Sequence, residues 1–150
     1  MTALFVALSL HGCSLFGGDA GLEATLAAKD QMKAGEVVAA ADAFDAAALA
    51  NPSSIDAASG AALAALMRGD VEAADSLLAG VQAEAGERTA EVRMRRAIVA
   101  QRAKDWDAMR EHGEASGLDA GLLLAGEAAL ADGEREEAEA LFQRVGGQAA

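Results

Sequence analysis

Apolar and polar positions alternate with a helical period along nearly the whole chain after residue 20, and glycines interrupt them at regular distances. The stretch LEATLAAKDQMKA, before Gly35, and EVVAAADAFDAAALA, after it, each read as an amphipathic helix. Asn51-Pro52 ends the second, because proline cannot continue a helix. Ser53-Ser54 offers an N-cap for IDAASGAALAALMR, which runs to Gly69. VEAADSLLAGVQAEA, TAEVRMRRAIVAQRA, DWDAMREHGEA, LDAGLLLAGEAALA and EREEAEALFQRV complete eight predicted helices. The links between them are short, so neighbours must be antiparallel, and the expected architecture is all-α: four helical hairpins stacked in series.

The hairpins repeat. KAGEVVAAADAF, MRGDVEAADSLL and LADGEREEAEALF each place a Gly, an acidic residue, and then an Ala-rich helix that closes on a large apolar side chain. Gly35 and Gly69 are 34 residues apart; a weaker copy, AKDWDAM, has Lys104 where the glycine stood, and Gly133 follows 29 residues later. Helices of one hairpin cross closely only where small residues meet, and a large apolar residue then fills the space toward the next hairpin. The glycine between them takes the left-handed turn that closes the first helix.

Composition supports this reading. Alanine supplies 41 of 150 residues, while there are four Phe, one Trp, no Tyr and a single Pro. Alanine has the best helix propensity, and the β-branched and aromatic runs that strands require are missing. A formal charge of -12 argues against nucleic acid as a partner, because phosphate neutralisation needs Lys and Arg. One cysteine and two histidines far apart in sequence make a metal centre an unpromising expectation, and no cofactor motif is present. No catalytic constellation is recognisable, and a non-enzymatic protein is expected. His112 is expected to gain from a helix C-terminal dipole as a cation, and GEREEAEA (133–140) to be a solvated helix face.

With these residues in view, the chain resembles the tetratricopeptide repeats over about residues 21 to 146. That family's pattern of small, Gly, Ala, aromatic, Ala and Pro positions falls on Ala28, Gly35, Ala40, Phe44, Ala47 and Pro52 in the first unit. In the second it falls on Ala62, Gly69, Ala74, Leu78 and Val81, and in the fourth on Gly126, Gly133, Ala138, Phe142 and Val145. The third unit departs from it, with Met109 and Gly113 at the small and aromatic positions. Gln31, Ala65 and Ala129 replace a further aromatic, so a degenerate and marginally stable array is expected. The resemblance implies a right-handed α-α superhelix and a protein or peptide partner held in the concave groove. Carried over position by position, that groove uses Lys29, Met32, Lys33, Leu63, Leu66, Met94, Arg95, Ile98, Arg102 and Leu123. The carboxylate-clamping subfamily is not matched: of its positions only Arg95 carries a suitable side chain. The basic stretch EVRMRRAIVAQRAK (91–104) is expected either to pair with acids of the same chain or to receive an acidic peptide.

The first residues form a separate problem. Ala3–Leu10 is too short to span a membrane but matches the apolar middle of a secretory signal. Leu10-His11-Gly12-Cys13 resembles the lipobox of bacterial lipoproteins. The resemblance implies removal of residues 1–12 as a signal peptide, acylation of Cys13 as a membrane anchor, a linker over 13–20 and, after the repeats, a tail over 147–150. Ser14 resembles the default outer-membrane sorting context, so the expected location is the bacterial envelope, at the outer membrane facing the periplasm. His11 departs from the small residue usual there, and no Lys or Arg precedes the apolar run, which is expected to come from a start upstream of Met1. The alternative is a cytoplasmic adaptor whose first residues cap the first hairpin.

Overall fold

The structure, a computed structural model of the chain, describes residues 20–147. The signal peptide, Cys13, the linker up to residue 19 and the tail beyond residue 147 lie outside the described residues. Eight α-helices follow one another there: Ala20–Lys33 (α1), Val37–Ala50 (α2), Ile55–Met67 (α3), Val71–Gln82 (α4), Thr89–Ala103 (α5), Trp106–Ser116 (α6), Asp119–Ala131 (α7) and Arg135–Arg144 (α8). Every predicted helix is present. One boundary is corrected: α4 stops at Gln82 rather than Ala85. Gly86 turns left-handed (φ +54°), and a 3-10 turn, Gly86–Arg88, leads into α5. Arg88 in this turn is held by Asp56 at 3.1 Å and Glu91 at 2.8 Å, which fixes the entry to α5.

The turns inside the four hairpins share one geometry. Gly35, Gly69, Lys104 and Gly133 have φ of +82°, +79°, +59° and +84°. In each, the next residue's N–H reaches the carbonyl five positions back: Glu36 to Gln31 at 2.9 Å, Asp70 to Ala65 at 2.9 Å, Asp105 to Ala100 at 3.0 Å and Glu134 to Ala129 at 2.8 Å. This is the left-handed closure that satisfies a helix's last carbonyls. The third unit therefore keeps the register of the others, although a lysine occupies its strained position. Asp70 and Asp105 then cap the following helix, each accepting from the N–H three residues on at 3.0 Å. Glu36 and Glu134, one carbon longer, make no such cap.

Consecutive helices pack on one another, and α1, α3, α5 and α7 also touch in series. The backbones of α2, α4, α6 and α8 do not pack on one another, although the ion pairs Arg110–Glu137 and Arg144–Glu114 link α6 to α8. The first helices thus form the inner layer of an α-α superhelix and the second helices its outer layer. Its core is a chain of small clusters. Ala28, Phe44 and Ala61 join the first two hairpins; Ala62, Ala74, Leu78 and Val99 join the second and third; Leu122, Ala125, Ala138 and Leu141 fill the last. Each unit depends on its neighbours, as expected of a repeat array.

Small residues make these joints possible. A Cβ at Gly60 would overlap the ring of Phe44, and one at Gly126 would overlap that of Phe142. In the third hairpin the sizes are inverted. Met109 is fully buried, and Gly113 faces Gly121 of α7 backbone to backbone, so that a Cβ at Gly113 would sit 2.5 Å from the Gly121 carbonyl oxygen. Ser116, buried beside them, donates to the Gly113 carbonyl at 2.7 Å and accepts from the Leu118 N–H at 3.2 Å.

Candidate binding groove

The inner layer presents two adjoining hollows. The first, of about 310 Å³, is bordered by Lys29, Met32, Lys33, Phe44, Leu63 and Arg95. The second, of about 210 Å³, is bordered by Leu63, Leu66, Leu78, Arg95, Ile98 and Val99. Ser59, Leu63 and Arg95 belong to both, so the two are parts of one groove that crosses α1, α3 and α5. Seven of the ten residues expected at the groove border these hollows. Met94 is half-buried, while Arg102 and Leu123 are exposed and border neither.

Helical spacing explains the placement. Ser59, Leu63 and Leu66 recur every three or four residues on α3, as do Arg95 and Ile98 on α5, so each set shares one helix face. The alanines between them point into the core and are buried (Ala58, Ala61, Ala62, Ala65). Leu63 and Ile98 remain 47% and 37% exposed, an apolar floor open to solvent. The hydroxyl oxygen of Ser59 is buried and has no hydrogen-bond partner.

A ladder of charges that the sequence reading did not assemble runs along one end of the groove. Lys29 lies 3.9 Å from Asp56; Asp56 is bound by Arg88; Arg88 also binds Glu91, and Glu91 is bound by Arg95. Arg88 holds the carboxyls of both Asp56 and Glu91 below the usual range, chiefly by donating hydrogen bonds to them. Three cations against two carboxylates leave this end of the groove net positive, in a chain that is strongly acidic overall. Its residues lie on four elements, α1, α3, the 3-10 turn and α5, and the key one, Arg88, stands in the turn. The local signals were the acidic residue at the start of α3 and the helical spacing of Glu91 and Arg95.

The basic stretch of α5 divides. Arg96 grips Asp75 at 2.7 and 2.8 Å and Gln82 at 3.0 Å, Arg93 donates to the Ala115 carbonyl at 3.0 Å, and Arg95 binds Glu91. Arg102 and Lys104 are exposed and have no ion-pair partner among the described residues. His112 differs from its expected role. It lies a turn before the end of α6, half-buried, and burial followed by the charge of Arg96 pushes its pKa down, so at neutral pH it is uncharged. Residues 133–137 of the acidic stretch are exposed, and Arg110 binds both Glu134 and Glu137. Among the described residues no three His, Cys, Asp or Glu side chains cluster as a metal would require, and no helix is long and apolar enough to cross a membrane.

No family model and no curated protein matches the chain. A solved structure, "MamA MSR-1 C2", superposes with a TM-score of 0.67 at 19% identity, covering 83% of this chain and 74% of that one. MamA is a protein of tetratricopeptide repeats, and the fold of this chain is accordingly a tetratricopeptide-like helical array.

Proposed function

We propose that the protein is a non-enzymatic interaction scaffold whose inner groove holds a segment of a partner protein, and that it is anchored in a bacterial envelope through acylated Cys13. The observation that carries the first part is the pair of hollows sharing Ser59, Leu63 and Arg95, with exposed leucine and isoleucine on a surface of otherwise buried alanine. Such a floor suits an apolar or amphipathic segment. The second part rests on Leu10-His11-Gly12-Cys13 alone. Acyl chains contribute about 0.8 kcal/mol per buried methylene, enough for two or more chains to hold an acidic domain at a membrane without help from lipid charge.

Both parts are testable separately. Crosslinking and pull-down from the native envelope should lose partners in Leu63→Glu/Ile98→Glu, two exposed sites where the change leaves the core intact. Full retention places binding elsewhere. Mass spectrometry of the membrane-extracted protein should find diacylglycerol on Cys13 and residues 1–12 removed. A Cys13→Ala chain that stays in the membrane pellet at wild-type level refutes the anchor.

A further inference from the structure

On the outer face, α2 and α4 do not meet, and between them lies an open cleft of about 560 Å³. Ala58 and Ala61 of α3 form its floor; Leu49 and Pro52 stand on one side, Leu77 and Gly80 on the other. The lining is mainly apolar, with Asp45 and Ser76 the polar residues in it, and faces solvent. Leu49 is 83% exposed, and Val38, on the same stripe of α2 (38, 42, 45, 49), is 77% exposed.

Gly80 has no internal explanation. It sits within α4 with ordinary helical backbone, and a Cβ there would meet nothing within 4 Å. Glycine is less favourable than alanine inside a helix, and the other small residues of that helix are Ala73, Ala74, Ser76 and Ala79. What glycine provides at this place is room: another backbone can approach α4 directly from the cleft.

The rim specifies the charge of what enters. Neither α2 nor α4 carries a Lys or Arg; Asp45 lines the cleft, Asp42 stands on the Leu49 stripe of α2, Glu72 stands one turn before Ser76 where α4 also borders the next hollow, and Glu84 lies just beyond α4. Arg68 pairs with Asp45 at 3.0 Å and Arg96 with Asp75; Asp42, Glu72 and Glu84 have no ion-pair partner among the described residues. A second copy of the chain, at -12, would bring like charge to this rim. We propose that the outer cleft docks a cationic amphipathic helix of a partner protein, with small and apolar side chains on Leu49, Leu77 and Gly80 and Lys or Arg on Asp42 and Glu72. The cleft runs along residues 45–52 on one side and 76–80 on the other, about two helical turns, so it seats the middle of a longer partner helix. This surface is separate from the inner groove and does not depend on it.

The test uses a fluorescent amphipathic peptide of about four helical turns, made of Leu, Ala and Lys, and its counterpart with Glu in place of Lys. Each is titrated against the full chain by anisotropy at low and high salt. The Lys peptide is expected to bind, more weakly at high salt, and the Glu peptide not to bind. Gly80→Leu fills the cleft without changing charge, and its Cβ meets no neighbour. It should keep or raise the melting temperature and weaken the Lys peptide by about tenfold or more, the scale of a filled hot-spot pocket. Leu49→Lys should weaken it likewise, while Leu63→Glu/Ile98→Glu should leave it unchanged. Failure of the Lys peptide to bind, equal binding to wild type and Gly80→Leu, or equal binding of the Glu peptide overturns the proposal. So does a concentration-dependent dimer that Gly80→Leu abolishes, which gives the cleft to a second copy. Sedimentation with phosphatidylcholine vesicles that Gly80→Leu abolishes gives it to lipid and overturns the proposal too.

Discussion

The joint between α2 and α3 and the joint between α6 and α7 do the same task with opposite parts. At the first, Phe44 of α2 lies in a socket made by Ala28, Gly60 and Ala61. At the second there is no ring at the corresponding position. Gly113 and Gly121 bring two backbones together, and Ser116 satisfies the polar groups that remain. One repeat geometry thus tolerates a large residue against small ones or two small ones against each other. It does not tolerate a change on one side alone, because interiors are packed too densely to absorb it.

The sharpest way to break the comparison is to install the aromatic of the repeat pattern where it is missing. Gly113→Phe should abolish cooperative folding of the C-terminal hairpins, seen as loss of helical circular dichroism, because the ring would have to displace α7. Gly113→Ala meets the Gly121 carbonyl oxygen and the Ala125 backbone rather than a flexible side-chain end, and should cost about 3 kcal/mol in urea denaturation. At the other joint Phe44→Ala empties the socket and should cost about 3 to 4 kcal/mol. If Gly113→Phe proves as stable as the wild type, the two joints are not alternatives.

These joints also mark what the sequence made legible. The eight helices and three of the four left-handed turns followed from local signals: alanine runs, Pro52, and the glycines at 35, 69 and 133; the turn at Lys104 showed only as a weaker copy. The inversion at Met109 and Gly113 was visible as a mismatch, but its geometry was not, because it depends on Gly121 across the joint. The ten groove residues came from the resemblance to the tetratricopeptide repeats, carried over position by position; seven border the hollows, and Met94, Arg102 and Leu123 do not. The charge ladder was not legible in this way, since Lys29, Asp56 and Arg88 come from three elements, one of them a turn that no hydrophobic period predicts. The outer cleft was invisible for another reason. It exists because α2 and α4 fail to touch, and sequence patterns report contacts rather than gaps.

The turns offer a finer comparison. Hairpin three has its cap, Asp105, but a lysine in the left-handed turn; hairpin two has both its cap, Asp70, and a glycine. A left-handed conformation costs a residue with a side chain about 1 kcal/mol relative to glycine. Lys104→Gly should therefore stabilise the chain by about that amount, and Gly69→Lys should destabilise it similarly. Equal and opposite shifts in urea midpoint, with unchanged slope, are the expected result.

The smallest effect concerns α1, at the position where hairpins two and four place buried Ala65 and Ala129. There hairpin one carries Gln31, half-buried, with an Oε1 that is shut off from solvent and has no hydrogen-bond partner. Shutting off an amide oxygen without a partner costs about 1 kcal/mol or more, whereas an apolar group of similar size gains from the same burial. Gln31→Leu should therefore stabilise the first hairpin by about 1 kcal/mol. Hydrogen exchange is the discriminating measurement: amides of α1 and α2 should slow about fivefold, while those of α6 and α7 stay as they are, because coupling between hairpins fades with distance along the array. Uniform slowing over all eight helices would instead mean that the array opens as one unit, and that the two joints compared above never yield independently.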